Sequence, residues 1–441
     1  CGIAEDWCIH QRWQSKTIEL PTGSICATNA MIHLLLLLTL PLSSTEPTPG
    51  WNQWGGPGRD FSVTQTLFNE STDFHRIGQS WQIPVGSGHS GICAWDDAVY
   101  TCFTRDGQEH VTAVSAENGR QIWDRKFDFE PRDFMDLEFG LGPHATPLVT
   151  DKHLFCVGLS GRLSALDINT GRTIWERELW ANGEATPLER GHAASQIGWN
   201  DTVIVPIGGK DQSIQCFAMA DGRLLWSRYS YAAAYASPLI AQLGERPQLV
   251  HLMDQNLIGL DPADGELLWQ YPVPTERYVN CTSPVVGPND TIFINTCEGL
   301  RGLRLDRVDS QWKVQELWTS RITICQTTNF VLRDGIIYGA KEGSVFAAVD
   351  AATGETLWQS RELKDSCIVN SGDYLIAVLE RGELAIAKVS RSGIEVVWHL
   401  QCLTGRCWIG PAVSEGRLLI RDSENLLAFD LPDRPASPGE K

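Results

Sequence analysis

The sequence predicts an all-β fold, an eight-bladed β-propeller of four-stranded antiparallel blades closed by pairing of the N- and C-terminal strands. Three observations support this prediction. A tryptophan recurs every 40–52 residues, glycine stands four residues before five of these tryptophans, and short apolar runs separated by turn residues fill the intervals. Repeats of this length are typical of stacked supersecondary units. The eight tryptophans are Trp81, Trp123, Trp175, Trp226, Trp269, Trp318, Trp358 and Trp398.

The repeat that ends at Trp358 shows how one blade is built. Its four apolar runs are joined by short turns, which is the pattern of four consecutive strands. Gly354 precedes the last run, where a hairpin needs a residue that adopts positive φ at no steric cost. The tryptophan can then lie across the junction with the neighbouring sheet and bury a large apolar surface. The four runs are residues 329–332, 336–338, 345–349 and 357–358.

The two ends of the chain together supply the last blade. After the last tryptophan the sequence offers three strands, and the fourth is predicted around Trp81, because joining the two ends removes the free edges of an open array. The blade that carries Trp318 is irregular, since Asp306 stands 12 residues before the tryptophan instead of 8. A seven-bladed or open assembly is the alternative. The three C-terminal strands are predicted at residues 411–413, 417–420 and 426–430.

The repeated phrase also carries a family resemblance. The phrase Asp-x-x-Thr-Gly-x-x-x-Trp, complete at Trp175 and Trp358, resembles the tryptophan-docking repeat of pyrroloquinoline-quinone-type propellers. The opening at residues 51–60 is similar to the lead-in of bacterial proteins of that superfamily. The resemblance covers residues 51–432 and implies the fold, whereas it leaves function open. Members of that superfamily include quinoprotein dehydrogenases, a propeller lipoprotein of the outer-membrane β-barrel assembly machinery, and secreted propellers.

Composition and the N-terminal region indicate an exported protein. The formal net charge of −18 argues against a nucleic-acid binder, because phosphate contacts need a basic surface. The leucine-rich run after Met31 is too short to span a bilayer and suits a secretory signal. We expect translation to begin at Met31; a lipid-anchored Cys1 is the alternative. The expected segments are 1–30, upstream or non-native; 31–50, signal-like region and linker; 51–434, propeller; and 435–441, disordered tail.

Two pairs of cysteines are candidates for cross-strand disulfides. Cys93 and Cys102 are equidistant from a predicted turn at residues 97–98, and Cys281 and Cys297 are equidistant from Asn289. Facing residues on antiparallel strands can approach closely enough to form such a bond. The alternative is that these cysteines are small buried apolar residues.

Candidate ligand-binding residues surround the channel mouth. The residues that enter each innermost strand should ring one end of the central channel, and three consecutive blades offer histidine there, His89, His144 and His192. Histidine can bind a metal when neutral or an anion when protonated. The alternative is that the imidazoles bond to backbone groups or simply line the channel. Tyr235, Lys210 and Trp408 are predicted on the same face of the propeller.

A long insertion between the first two blades is a candidate partner-binding loop. Residues 127–139 alternate aromatic and acidic side chains, and long loops on a rigid scaffold are often functional. The alternative is that the phenylalanines fold down over the channel mouth. The four phenylalanines are Phe127, Phe129, Phe134 and Phe139.

The sequence favours a scaffold over an enzyme. The hydrolase motifs GxSxG and HExxH are absent. The resemblance to quinoprotein dehydrogenases implies a Ca²⁺ site, an aspartate base and often a disulfide between adjacent cysteines, and this chain has no Cys-Cys step. We therefore expect an exported, monomeric, periplasmic or secreted propeller without catalytic residues, cofactor or metal, which binds a protein partner in the cell envelope. The alternatives are a pyrroloquinoline-quinone- or metal-dependent oxidoreductase acting on alcohols or sugars, with Ca²⁺, and a carbohydrate-binding propeller.

Overall fold

The chain folds into eight four-stranded antiparallel sheets. Within each sheet the strands pair in chain order, except that the first strand of the chain joins the last sheet. The eight-bladed propeller is thus confirmed, and the seven-bladed alternative is wrong. The computed structural model describes residues 50–63, 65–138, 140–181, 183–273, 275, 280–322, 329–341, 345–414 and 416–432.

The first four blades use consecutive strands. Blade 1 contains β2 (Cys93–Trp95), β3 (Ala98–Arg105), β4 (Gln108–Ser115) and β5 (Gln121–Asp128). Blade 2 contains β6 (Leu148–Val149), β7 (His153–Val157), β8 (Arg162–Asp167) and β9 (Thr173–Glu178). Blade 3 contains β10 (Ile197–Trp199), β11 (Thr202–Pro206), β12 (Ile214–Ala218) and β13 (Leu224–Arg228). Blade 4 contains β14 (Leu239–Leu243), β15 (Arg246–Leu252), β16 (Asn256–Leu260) and β17 (Leu267–Pro272).

The remaining blades complete the ring. Blade 5 contains β18 (Val285–Gly287), β19 (Thr291–Thr296), β20 (Gly299–Val308) and β21 (Gln311–Ser320). Blade 6 contains β22 (Val331–Arg333), β23 (Ile336–Lys341), β24 (Val345–Asp350) and β25 (Thr356–Ser360). Blade 7 contains β26 (Ser366–Ser371), β27 (Tyr374–Leu379), β28 (Glu383–Ser390) and β29 (Gly393–Gln401). Blade 8 contains β30 (Ala412–Ser414), β31 (Arg417–Arg421), β32 (Asn425–Asp430) and β1 (Gly78–Pro84), which follows a short 3-10 helix (Phe74–Arg76).

Blade 8 joins the two ends of the chain. Strand β1 pairs antiparallel with β32, with Gln79 opposite Phe429 and Trp81 opposite Ala428. Blade 5 keeps the four-stranded order, but its β20 and β21 are each ten residues long, so their hairpin is extended. The late position of Trp318 therefore reflects a longer hairpin in a regular blade rather than a lost blade.

Five of the eight docking tryptophans bond their blade to the next. The indole N–H of Trp123 donates to the carbonyl of Ile168 in blade 2 at 2.8 Å, and that of Trp175 donates to Met219 in blade 3 at 2.8 Å. Trp81, Trp318 and Trp358 make the same kind of bond at 2.9–3.0 Å. Trp269 differs, since its indole donates to Gln248 of its own blade at 2.6 Å. Five of the eight tryptophans thus bond across a blade junction, whereas the indole N–H of Trp226 is buried without a hydrogen bond.

The glycine of the repeated phrase is required for two physical reasons, and the sequence indicates only the first of them. Gly171 has a φ of +67°, as a hairpin requires. It also contacts the preceding blade. A Cβ built on Gly171 would lie 2.5 Å from the Trp123 ring, so there is no room for a side chain. Gly222 meets Trp175 in the same way at 2.6 Å. The glycine therefore allows the indole of one blade to contact the backbone of the next.

A buried arginine closes the ring between blades 8 and 1. Arg421, on β31, is wholly buried. Its guanidinium donates to the backbone carbonyls of Gly86, Gly88 and Cys102 and to the Thr101 hydroxyl, at 2.6–3.3 Å. Its Nε donates to the Asp422 carbonyl at 3.1 Å. This side chain fastens the blade made from both chain ends to its neighbour.

A belt of hydrogen bonds joins consecutive blades around the hub. At equivalent positions, a backbone N–H of one blade donates to a side-chain oxygen of the next, so that five junctions are linked by the same contact. We call these residues the hub belt. The bonds run from Gly91 N to Thr146 Oγ1 (3.0 Å), Thr146 N to Ser195 Oγ (2.9 Å), Ser195 N to Ser237 Oγ (2.8 Å), Ser237 N to Ser283 Oγ (3.1 Å) and Ser283 N to Asn329 Oδ1 (3.2 Å).

Residues 51–63, which we call the hub plug, fill the centre of the ring. The segment contacts the inner strands of blades 1, 2 and 7 and the hub belt in blades 3 and 5, and its Trp51 and Phe61 are buried. The bonds are Ala94 N to Trp51 O (2.8 Å), Val149 N to Asn52 O (2.8 Å), Trp54 Nε1 to Ser283 Oγ (3.2 Å), Arg59 to Ser195 O (3.2 Å) and Gln196 O (3.0 Å), and Asn370 N to Phe61 O (2.7 Å).

The predicted disulfides do not form. Cys93 lies opposite Tyr100, because the β2–β3 turn is centred one residue earlier than predicted, and Cys93 and Cys102 are both free thiols. The register around Asn289 is the predicted one, since Val285 lies opposite Phe293. Cys297 is nevertheless an exposed free thiol, so the bond to Cys281 is absent. Burial raises the pKa of the Cys93 thiol, which fits the alternative of a small buried side chain.

Candidate functional site

Three of the predicted channel residues come together in one cluster of rings. His89 and His144 stack with ring centroids 5.4 Å apart and an interplanar angle of 15°. The ring of Trp408 lies 5.0 Å from that of His89, and its indole N–H donates to Glu380 at 3.2 Å. Rings that meet face to face do not aim their nitrogens at a common point. The group is therefore an aromatic contact that joins blades 1, 2 and 8 rather than a set of converging ligands.

The prediction that His192 matches the other two histidines is wrong. In the hub belt Thr146 follows His144 by two residues, whereas Ser195 follows His192 by three. Ala193 therefore occupies the equivalent position. The ring of His192 is buried instead, and its Nε2 donates to the carbonyl of Ala194 at 2.9 Å. The backbone-bonded alternative holds for this histidine.

His144 and His192 are neutral at pH 7. Burial lowers the pKa of His144 to about 3, and the nearby charges of His89, Arg190 and His192 add to the effect. Burial likewise lowers the pKa of His192 to about 4. The cavity beside His192 has a volume of about 10 Å³, room for one water molecule. Within the described ranges, no group of three or more His, Cys, Asp or Glu residues is placed to hold a metal ion.

These buried histidines should make the protein sensitive to acid. His251, on β15, is wholly buried, and burial together with the charge of Arg59 lowers its pKa to about 3. His251 binds a proton near pH 6.5 in the unfolded chain but only near pH 3 in the folded chain. The free energy of unfolding therefore falls as the pH drops below 6.5. The loss attributable to His251 should be about 2 kcal/mol at pH 5.

Urea unfolding at pH 8 and pH 5 measures this effect, with His251→Asn compared against the wild type. The variant should lose about 2 kcal/mol less than the wild type between the two pH values. Equal losses would show that His251 does not resist protonation in the folded state. A matched control is His399→Asn, since His399 is an exposed partner of Glu383.

Two inter-blade insertions meet on the same face of the propeller. The first lies between β5 and β6 and the second between β9 and β10. Arg190 of the second bonds to Asp136 of the first at 2.9 Å, and the Asp136 N–H donates to the Glu189 carbonyl at 2.7 Å. The Arg190 N–H donates to the Tyr235 hydroxyl at 2.9 Å. We call residues 129–138 and 183–191 the insertion lip; these contacts brace it against blade 4.

Phe127 is not part of the lip, so its predicted role in partner binding is wrong. It lies on β5, four residues after Trp123 and on the same buried face. The Arg162 guanidinium lies 4.0 Å from its ring centroid and donates to Glu109 at 2.7 Å. Glu109 is buried and also accepts from the Leu159 N–H at 2.7 Å. Phe127 and this ion pair form the floor beneath the lip.

The lip presents apolar side chains among carboxylates. Phe134 is 48% exposed and Leu137 37% exposed. Phe129 is half-buried beside an acidic cleft, and Phe139 lies outside the described residues. Phe134 therefore does not fold down over the channel mouth. The exposed acidic residues of the lip are Glu130, Asp133, Asp136, Glu138, Glu184 and Glu189.

Lys210 extends this face towards blade 3. It is exposed on the turn between β11 and β12, and its N–H donates to the Glu184 carbonyl at 3.1 Å. The structure thus divides the predicted channel residues into two places. His89, His144 and Trp408 meet at the hub, whereas Tyr235 and Lys210 contact the insertion lip.

Comparison with known proteins identifies the family. Residues 78–210, 107–360 and 341–433 match the family described as outer membrane protein assembly factor BamB. The BamB of Yersinia pestis is 22% identical over 322 residues, covering 68% of this chain and 78% of that protein. The BamB of Burkholderia pseudomallei (strain K96243) is 25% identical over 302 residues, covering 65% and 70%.

A solved structure shows the same fold. The crystal structure of BamB from Moraxella catarrhalis superposes with a TM-score of 0.60 at 18% identity, covering 82% of this chain and 99% of that one. The predicted resemblance to pyrroloquinoline-quinone-like propellers is confirmed by the fold and by the family match, which spans most of the repeats. The chain belongs to the outer membrane protein assembly factor BamB family.

Proposed function

We propose that this protein is a non-catalytic scaffold for outer-membrane protein assembly, which works on the periplasmic side of the envelope. The observation that carries the proposal is the insertion lip, where exposed Phe134 and Leu137 stand on loops held by Arg190. Exposed apolar side chains rimmed by polar ones mark protein interaction sites. The names of the related proteins give the process in which such a scaffold takes part.

The hub supports a scaffold that works without a cofactor. The hub plug occupies the centre of the ring, and at its rim His89 stacks on His144 and contacts Trp408. Both features serve to hold blades together. The neutral state of His144 removes the positive charge that an anionic cofactor would need there.

The partner is a protein component of the envelope whose contacting surface carries basic and apolar side chains. The lip has six exposed carboxylates against two arginines, Arg132 and Arg190, so its excess of negative charge would be complemented by a basic surface, which would also steer association. Among the described residues, no helix is both long enough and apolar enough to cross a membrane. The monomeric state stays a prediction.

Charging the apolar centre of the lip should abolish function without unfolding the propeller. In cells that depend on this protein, the double substitution Phe134→Asp and Leu137→Asp should lower outer-membrane β-barrel protein to the level of a deletion strain. The reason is that both side chains are already exposed, so the change costs binding rather than folding. Quantitative immunoblots of outer-membrane fractions provide the measurement.

The matched control is Ile122→Asp, since Ile122 is 51% exposed but lies on the outer strand of blade 1 away from the lip. It should leave β-barrel levels unchanged. Normal levels in the double variant, at equal protein abundance, would overturn the proposed site. Normal β-barrel protein levels in the deletion strain itself would overturn the proposed role in outer-membrane protein assembly.

A further inference from the structure

Arg59 is a charged side chain buried in the hub. It lies at the tip of the hub plug and is 3% exposed. Its Nη1 donates to Gln53 Oε1 at 3.1 Å and to the Gln196 carbonyl at 3.0 Å, and its Nη2 donates to the Ser195 carbonyl at 3.2 Å. All three acceptors are neutral, so the positive charge is hydrogen-bonded but not compensated.

One donor of the guanidinium, the Nε–H, has no hydrogen-bond partner. Arginine has five N–H donors, and the three hydrogen bonds all involve the two terminal nitrogens. The Nε–H is buried and makes no hydrogen bond. Nε–H and the adjacent Nη2–H form the fork with which arginine binds anions.

No carboxylate among the described residues forms an ion pair with Arg59. The neighbouring Asp60 turns away, and its Oδ1 accepts from the Ser62 N–H at 3.0 Å. Arg421 provides the contrast within the same molecule, because it is equally buried but the charge of Asp422 acts on it and its Nε donates to the Asp422 carbonyl at 3.1 Å. A buried charge normally has a counter-charge, and Arg59 has none within the protein.

We propose that the hub holds a small inorganic anion of halide size, bound by the Nε side of Arg59. The anion compensates the guanidinium and fastens the hub plug to blade 3, through the Ser195 and Gln196 carbonyls that the same side chain holds. His251 is consistent with this environment, since it is wholly buried and neither ring nitrogen has a partner, which leaves one N–H available to a neighbouring anion.

Crystals of the wild-type protein soaked in bromide test the proposal directly. Anomalous difference density is expected in contact with Arg59 Nε and not at Arg421, whose donors are already used. Ordered water at Arg59 Nε, or no density there while bromide binds elsewhere on the protein, would overturn the proposal.

A solution measurement distinguishes binding from chance occupancy in the crystal. When chloride replaces gluconate at constant ionic strength, the wild-type Tm should rise by about 2 °C or more. Arg59→Lys keeps the charge but loses the fork, so its Tm should no longer depend on chloride. A wild-type Tm that is independent of chloride would contradict the proposal, whatever the stability of the variant.

Discussion

Replacing Arg421 with methionine should lower the Tm measured by calorimetry by about 5 °C. The substitution leaves the carbonyls of Gly86, Gly88 and Cys102 without their donor inside the junction of blades 8 and 1. Breaking a buried charged network of this kind costs about 4 kcal/mol of unfolding free energy. The large effect is expected because this junction is the one that closes the ring.

A surface arginine supplies the control. The Arg304 side chain is 42% exposed and pairs with Asp306 at 3.0 Å on the outer hairpin of blade 5. Arg304→Met should change the free energy of unfolding by less than about 1 kcal/mol. If Arg421→Met were as mild as this control, ring closure would rest on the β1–β32 pairing alone.

Placing alanine at Gly171 should cost about 3 kcal/mol. About 1 kcal/mol comes from the left-handed backbone, with a φ of +67°. About 2 kcal/mol more comes from overpacking, because the new Cβ would lie 2.5 Å from the Trp123 ring. Urea unfolding of Gly171→Ala measures the sum.

Gly107 separates the cost of the left-handed backbone from the cost of overpacking. Its φ of +75° is similar, but a Cβ added there meets nothing within 4 Å. Gly107→Ala should therefore cost only about 1 kcal/mol. Equal costs at the two positions would mean that the glycine of the repeated phrase serves the hairpin alone and not the contact between blades.

The sequence reveals the blades because their determinants are local and repeated. Trp81, Trp175 and Trp358 each mark a strand at the end of a repeat, so period and order can be read directly. The hub belt also has a local signal, since Thr146, Ser237 and Ser283 each precede proline. Blade 3 has Ser195 followed by Gln196 in place of this dipeptide, so the signal is missing in the blade where the prediction for His192 was wrong.

Other features could not be predicted because they depend on contacts distant in sequence. Arg59 bonds to Gln196, 137 residues away, and Arg421 bonds to Gly86, 335 residues away. No periodicity indicates that a segment before the first strand returns to fill the hub. Phe127 is an intermediate case, because its even spacing from Trp123 already places both side chains on one face of a strand.

Photo-crosslinking in living cells tests the scaffold function most directly. A photoreactive phenylalanine analogue at position 134 should crosslink to a protein that inserts β-barrels into the outer membrane, identified by mass spectrometry, while the same analogue at position 122 should not. Crosslinks of equal yield at both positions, or a crosslink at 134 only to proteins without a role in outer-membrane assembly, would contradict the assignment of the insertion lip as the docking site.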